Sequence, residues 1–113
     1  LHDTTANERQ LNYVSVVSLV NLVADGGVTQ FNGVVGSVTL GTPFKEASAS
    51  SLNDFAVSLD GAAVATQGAG TMPTVTTLQL GGNQTPVSML GHIYYLTYVP
   101  RRMSNSELIE KTS

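Results

Sequence analysis

The chain has 113 residues, 42% of them apolar and only 12% charged, which allows one domain with a core and excludes the charge-rich, apolar-poor composition of a disordered chain. Net charge is −3, and of five Lys and Arg residues only Arg101 and Arg102 adjoin. No basic face for a phosphate backbone can be built from these, so a nucleic-acid partner is not expected. Cysteine is absent, which removes disulfides and thiolate metal sites and leaves the redox compartment open. A chain that opens on Leu1 is expected to be processed or partial, its single domain over residues 1–113 being whole or the C-terminal part of a larger sandwich.

The first apolar run, residues 14–23, is interrupted by Ser15, Ser18 and Asn21. It is too short and too polar to cross a membrane, and no basic leader precedes it, so membrane insertion is not expected. Residues 13–23 hold five valines and no alanine, which predicts a strand. A helix over residues 8–22 competes, with Leu11, Val14, Leu19 and Leu22 at tolerable helical spacing. Asp25-Gly26-Gly27 is a hairpin turn, and residues 28–31 would pair back. Residues 34–40 form another strand, closed by Gly41-Thr42-Pro43. Residues 45–53, rich in alanine and serine, read as a looser stretch.

The clearest hairpin follows. In Phe55-Ala56-Val57-Ser58-Leu59 large residues alternate with small ones, so one face should pack and the other stay exposed. Asp60-Gly61 supplies the two left-handed positions of a tight turn, and residues 62–66 return. Gly68, Gly70 and Pro73 mark a loop, and residues 75–80 read as a further strand ending at Gly81-Gly82. No repeat, linker or low-complexity block is present. Strands and turns at this spacing predict an all-β antiparallel sandwich or barrel.

Residues 91–99 carry His92, Tyr94, Tyr95 and Tyr98. Bulky side chains fall on both faces, which predicts an interior strand stopped by Pro100. Ser104-Asn105-Ser106-Glu107 is a capping box, with Met103 and Leu108 at the two staple positions. Together they specify a short helix from Asn105 to about Lys111.

These residues carry a resemblance. Leu80-Gly81, Leu90-Gly91-His92-Ile93, Leu96-Thr97-Tyr98-Val99-Pro100-Arg101-Arg102-Met103-Ser104 and Glu107-Leu108 resemble the C-terminal end of bacteriophage tail-fibre and other virion proteins. There a laminin-G or concanavalin A-like jelly roll closes with a motif of the type LNGHIRRLTYYPRRLSNAEL. Asn53 to Gly61 resembles the NDFALSVNG hairpin that precedes it, and Pro73 to Gly81 the strand between. The likeness covers residues 44–112, about 60% of the chain. It departs where Tyr94 and Tyr95 replace two arginines, where Leu90 replaces asparagine, and in length, since a complete jelly roll is longer. Upstream strands would then be missing or supplied by neighbouring subunits.

The resemblance implies a jelly-roll sandwich with one C-terminal helix, on the surface of a virion. It implies an extracellular structural protein of tail fibre, tail or head decoration, with no enzyme activity and no cofactor. Partners would be other virion subunits, as a homo-oligomer with a trimer favoured, and a host-surface glycan as a second layer. Asp60, Gly61, Gly91, His92, Pro100, Met103, Ser104, Glu107 and Leu108 would be structural.

Chemical alternatives remain at several residues. His92 with Asp54, Asp60 and Ser88 could be cast as a hydrolytic set, but no nucleophile-elbow signature accompanies them, and the resemblance makes His92 a packing and hydrogen-bonding residue. Asp54 and Asp60, six residues apart across one strand, stand too far apart for one ion unless loops converge. Tyr94 and Tyr98 could stack on sugar rings; on a central strand they would instead fill the core or an interface, the reading preferred for Tyr95. Arg101 and Arg102 could grip a carboxylate on a sugar, or anchor the helix through Glu107 or Glu110. Asn83-Gln84-Thr85 matches a glycosylation sequon followed by Pro86, and Gly68-Ala69-Gly70 is too short for a phosphate loop. Two other functions compete: a secreted lectin-like carbohydrate-binding module, and a glycan-degrading enzyme, which would need a carboxylate pair that is not apparent.

Overall fold

The computed structural model describes residues 1–82 and 89–113. Among the described residues the chain is mostly β, with two three-stranded antiparallel sheets and one short C-terminal helix. The first sheet joins β1 (Arg9–Ser15), β2 (Ser18–Asp25) and β3 (Val28–Ser37); the second joins β4 (Glu46–Ser51), β5 (Asp54–Leu59) and β6 (Ala65–Gln67). Both sheets are sequential meanders. The sheets face each other across Val23, Phe31, Phe55 and Val57, with the Phe31 and Phe55 rings stacked at 5.8 Å. A second apolar group, Leu19, Val38 and Leu59, extends this core.

Residues 13–23 are not one strand. They straddle a two-residue turn at Val16-Val17 that pairs Ser15 with Ser18, and Val16 adopts a left-handed φ of 59°. A β-branched residue is disfavoured there, so its side chain gave no turn signal. The Gly26-Gly27 turn forms as expected, with both glycines at positive φ and Asp25 opposite Val28. The break expected between Phe31 and Val34 does not occur: β3 continues through Gly33 to Ser37. Gly33 is required because the Phe31 ring lies over it; a Cβ there would come within 2.4 Å of Phe31 Cζ.

Residues 45–53 are not loose either. They contain β4, whose small side chains serve two faces. Ala47 and Ala49 lie under the C-terminal helix, while Ser48 and Ser50 accept hydrogen bonds from the side-chain amides of Asn12 and Gln10 on β1. The expected exposed face of β5 is also absent. Phe55, Ala56, Val57, Ser58 and Leu59 are all buried, the odd positions between the sheets and Ala56 and Ser58 beneath the helix. Asp60 and Gly61 take the left-handed φ values expected of them, 47° and 73°.

Residues 75–80 make only an isolated bridge, in which Thr77 exchanges backbone hydrogen bonds with His2, itself bridged to Arg9 of β1. Residues 91–99 join no sheet as described, so the interior strand expected there is not found. Its bulk on both faces reflected an apolar segment left outside the core.

Candidate functional site

The closing segment has two halves. The second is α1 (Asn105–Thr112), capped as its sequence requires. The Ser104 hydroxyl accepts from the Glu107 amide at 3.3 Å, and the Glu107 carboxylate accepts from the Ser104 amide at 2.7 Å. Leu108 is fully buried against Ala49 and Ala56, with Met103 packed beside it. Thr112 ties the helix end to the β5–β6 turn, its hydroxyl accepting from the Gly61 amide and lying 3.0 Å from Ser58 Oγ.

Both arginines hold this helix in place. The two terminal nitrogens of Arg101 donate to the two oxygens of Glu107, at 3.1 and 2.5 Å. Arg101 and the Ser104 donors hold the Glu107 carboxyl well below its ordinary range, at about 2. Arg102, mostly buried, donates to Asp54 Oδ1 at 2.8 Å, to Asn105 Oδ1 at 2.9 Å and to the Met103 carbonyl. Anchoring the helix, rather than gripping an outside carboxylate, is thus the geometry of both.

The first half is the opposite. From Met89 to Tyr98 every described residue is exposed. Leu90 is fully open, and Tyr94, Tyr95 and Tyr98 are 83%, 80% and 75% exposed. His92 is exposed too, its ring 6.3 Å from that of Tyr94, and it lies outside the apolar core clusters. Gly91 and Pro100 flank this strip without closing a strand. Tyr98 borders an open recess shared with Leu1, Val75, Thr76, Thr77 and Leu78.

Of the hydrolytic set, Asp54 pairs with Arg102 and Asp60 accepts from the Lys45 amide at 2.8 Å, while Ser88 lies outside the described residues, as does the Asn83 sequon. No cluster of three potential metal ligands exists among the described residues.

Sequence reasoning missed Glu46. Its strand parity, shared with Ser48 and Ser50, turns it between the sheets beside Leu59. One carboxylate oxygen is buried without a partner, and burial pushes the carboxyl up to about 7. Only a strand assignment for residues 46–51 would have exposed that parity.

Comparison of the chain with protein-family models, with curated proteins and with solved structures finds no match.

Proposed function

We propose that this chain is a non-catalytic structural component of a bacteriophage virion, in a tail fibre, tail or head decoration, whose work is assembly at the particle surface. The observation that carries the reading is the strip of residues 90–98. It is uncharged and open, and it sits next to a helix that is fully anchored. Monomeric domains rarely leave so much contiguous apolar surface in water, and subunit interfaces are enriched in tyrosine and depleted in charge at their centres. The resemblance of the closing motif to phage virion proteins supplies the particle, since fold alone does not fix function. The jelly-roll relationship belongs to the same proposal, the missing strands coming from a longer chain or from neighbouring subunits. A homo-oligomer, with a trimer favoured, is the assembly proposed.

The test is localisation. Antibodies raised against the chain are expected to decorate purified virions in negative stain. Label found only on soluble cellular protein would sink the proposal.

One observation favours a second layer of function. Tyr94 and Tyr98 present open rings on one exposed segment, and such rings stack on sugars. A glycan array probed with the isolated chain decides it: strong, selective binding lost in Tyr94→Ala supports host-surface glycan recognition or the lectin-like module, and silence leaves assembly as the role.

A further inference from the structure

The two sides of the sandwich are held by different chemistry. On the β3 side the sheets meet through Val23, Phe31, Phe55 and Val57. On the β1 side they meet through polar side chains, the Gln10 amide donating to Ser50 Oγ at 3.0 Å and the Asn12 amide to Ser48 Oγ at 3.2 Å. Asn21 of β2, almost wholly buried, donates to Asn12 Oδ1. Ser48, its oxygen taken by Asn12, in turn hydrogen-bonds the Glu46 carboxyl. A chain of hydrogen bonds therefore runs from β2 through β1 to β4, and Glu46 ends it.

That end is unsatisfied. The two-residue step that takes β4 from Ser48 to Glu46 takes β1 from Asn12 to Val14, which has nothing to donate. Glu46 Oε1 is buried without a partner. Among the described residues no charge faces it. β1 turns Arg9 and Tyr13 to the opposite face from Asn12. β2 turns Leu19, Asn21 and Val23 inward, β3 holds no ionisable residue, and β5 sets Leu59 beside Glu46. Lys45 gives its Nζ to the Ser113 carbonyl, and Asp60 accepts from the Lys45 amide. Glu107, Glu110 and Lys111 belong to the helix on the other face of β4.

We infer that ionisation of Glu46 parts the sheets along β1 and β4 and admits water there, while the apolar side stays shut. A buried carboxylate without a donor must be hydrated or neutralised. Gln10, Asn12, Asn21, Ser48 and Ser50 can exchange their partners for water at small net loss, whereas the packing of Phe31 on Phe55 has no such substitute. Burial sets the direction. The carboxyl is raised to about 7 in the shut form, against 4.5 once hydrated. The shut form therefore holds its full advantage below pH 4.5 and loses it as pH rises to about 7. Between pH 5 and 7.5 the opening equilibrium should rise roughly fiftyfold.

Hydrogen exchange by NMR on the full chain tests this gate, each rate being divided by that of the same amide in an unstructured peptide at the same pH. The side-chain amide of Asn21 should be protected at least about tenfold less than the backbone amides of Phe55 and Val57, which the β4–β5–β6 ladder holds. Its protection should be indifferent to low urea, because little surface opens, and should fall roughly fiftyfold between pH 5 and 7.5. Protection that is flat with pH would overturn the gate. So would Asn21 protection that equals that of Phe55 and Val57 and falls with urea as theirs does, since the whole domain would then be unfolding. In Glu46→Gln the pH dependence at Asn21 should vanish, and an unchanged dependence would take the role from Glu46. If circular dichroism shows that this variant does not fold, the Glu46 carboxyl carbon of the parent chain decides the same point. It must titrate at the pH where Asn21 protection levels off, and any other midpoint removes Glu46 as the trigger.

Discussion

Residues 90–99 and residues 100–113 are neighbours in sequence, similar in length and opposite in fate. The later stretch satisfies its groups at short range: Arg101 on Glu107, Ser104 on Glu107, Met103 beside Leu108. The earlier one holds more apolar bulk and buries almost none of it. Apolar content alone therefore does not decide what is core. Position relative to the two sheets does, and the segment that closes the fold is the one whose partners lie within a few residues or directly beneath it.

The strongest way to break this contrast is at its buried end. Leu108 fills the space over Ala49 and Ala56, neither of which can grow to refill it. Leu108→Ala is expected to cost about 4 kcal/mol, from lost burial plus the residual cavity, measured by urea unfolding. A cost below about 1 kcal/mol would mean that α1 is not part of the fold's core.

Two carboxyls sharpen the comparison through pH. Glu46 has a raised folded-state pKa, about 7 against an ordinary 4.5. Its favourable protonated state is fully available below pH 4.5, and stability is lost as pH rises to about 7, by about 3 kcal/mol in all. Glu107 is shifted the other way, to about 2. Its contribution is present above pH 4.5 and fades as pH falls toward 2; being exposed, it is the weaker effect. Stability should thus peak near pH 4 to 5. Glu46→Gln should flatten the fall between pH 4.5 and 7, and thermal melts across that range check it. An unchanged slope in the variant would remove Glu46 as the cause.

How much of this was legible in the sequence follows the range of the interactions. The capping box, the Asp60-Gly61 turn and the Gly26-Gly27 turn were readable because each states its own partners within four residues. The mostly β class with a C-terminal helix was readable from the same signals. What failed needed distant partners. Small residues in β4 look like a loop until a helix lies on one face and Gln10 and Asn12 on the other. Val16 at positive φ carries no turn signature. The aromatic segment looks like an interior strand, since side-chain bulk is the same whether a sheet, a subunit or water lies beside it. Of the candidate site, the arginine anchors were legible through Glu107, whereas Asp54 as the Arg102 partner was not, being 48 residues away in sequence.

A smaller effect isolates the cap. Ser104→Ala removes the hydroxyl that accepts from Glu107 and leaves the reciprocal bond in place. The expected loss is about 1 kcal/mol, seen as a lower denaturant midpoint with unchanged slope.

The smallest effect on stability is the most informative about function. Tyr94 and Tyr95 project into water at 83% and 80% exposure, so the double replacement Tyr94→Ser with Tyr95→Ser should change the unfolding free energy of the monomer by less than about 0.5 kcal/mol. The same change is expected to abolish self-association measured by sedimentation, because aromatic anchors carry most of the energy of an interface. The two readouts must diverge. If the replacement costs the dilute monomer about 2 kcal/mol or more, the rings are packed in the folded chain and the strip is a core strand after all. If both readouts stay flat, the strip is neither core nor interface. Only a stable monomer that has lost its oligomer preserves the contrast between a segment that seals the domain and a neighbouring segment kept open for another subunit.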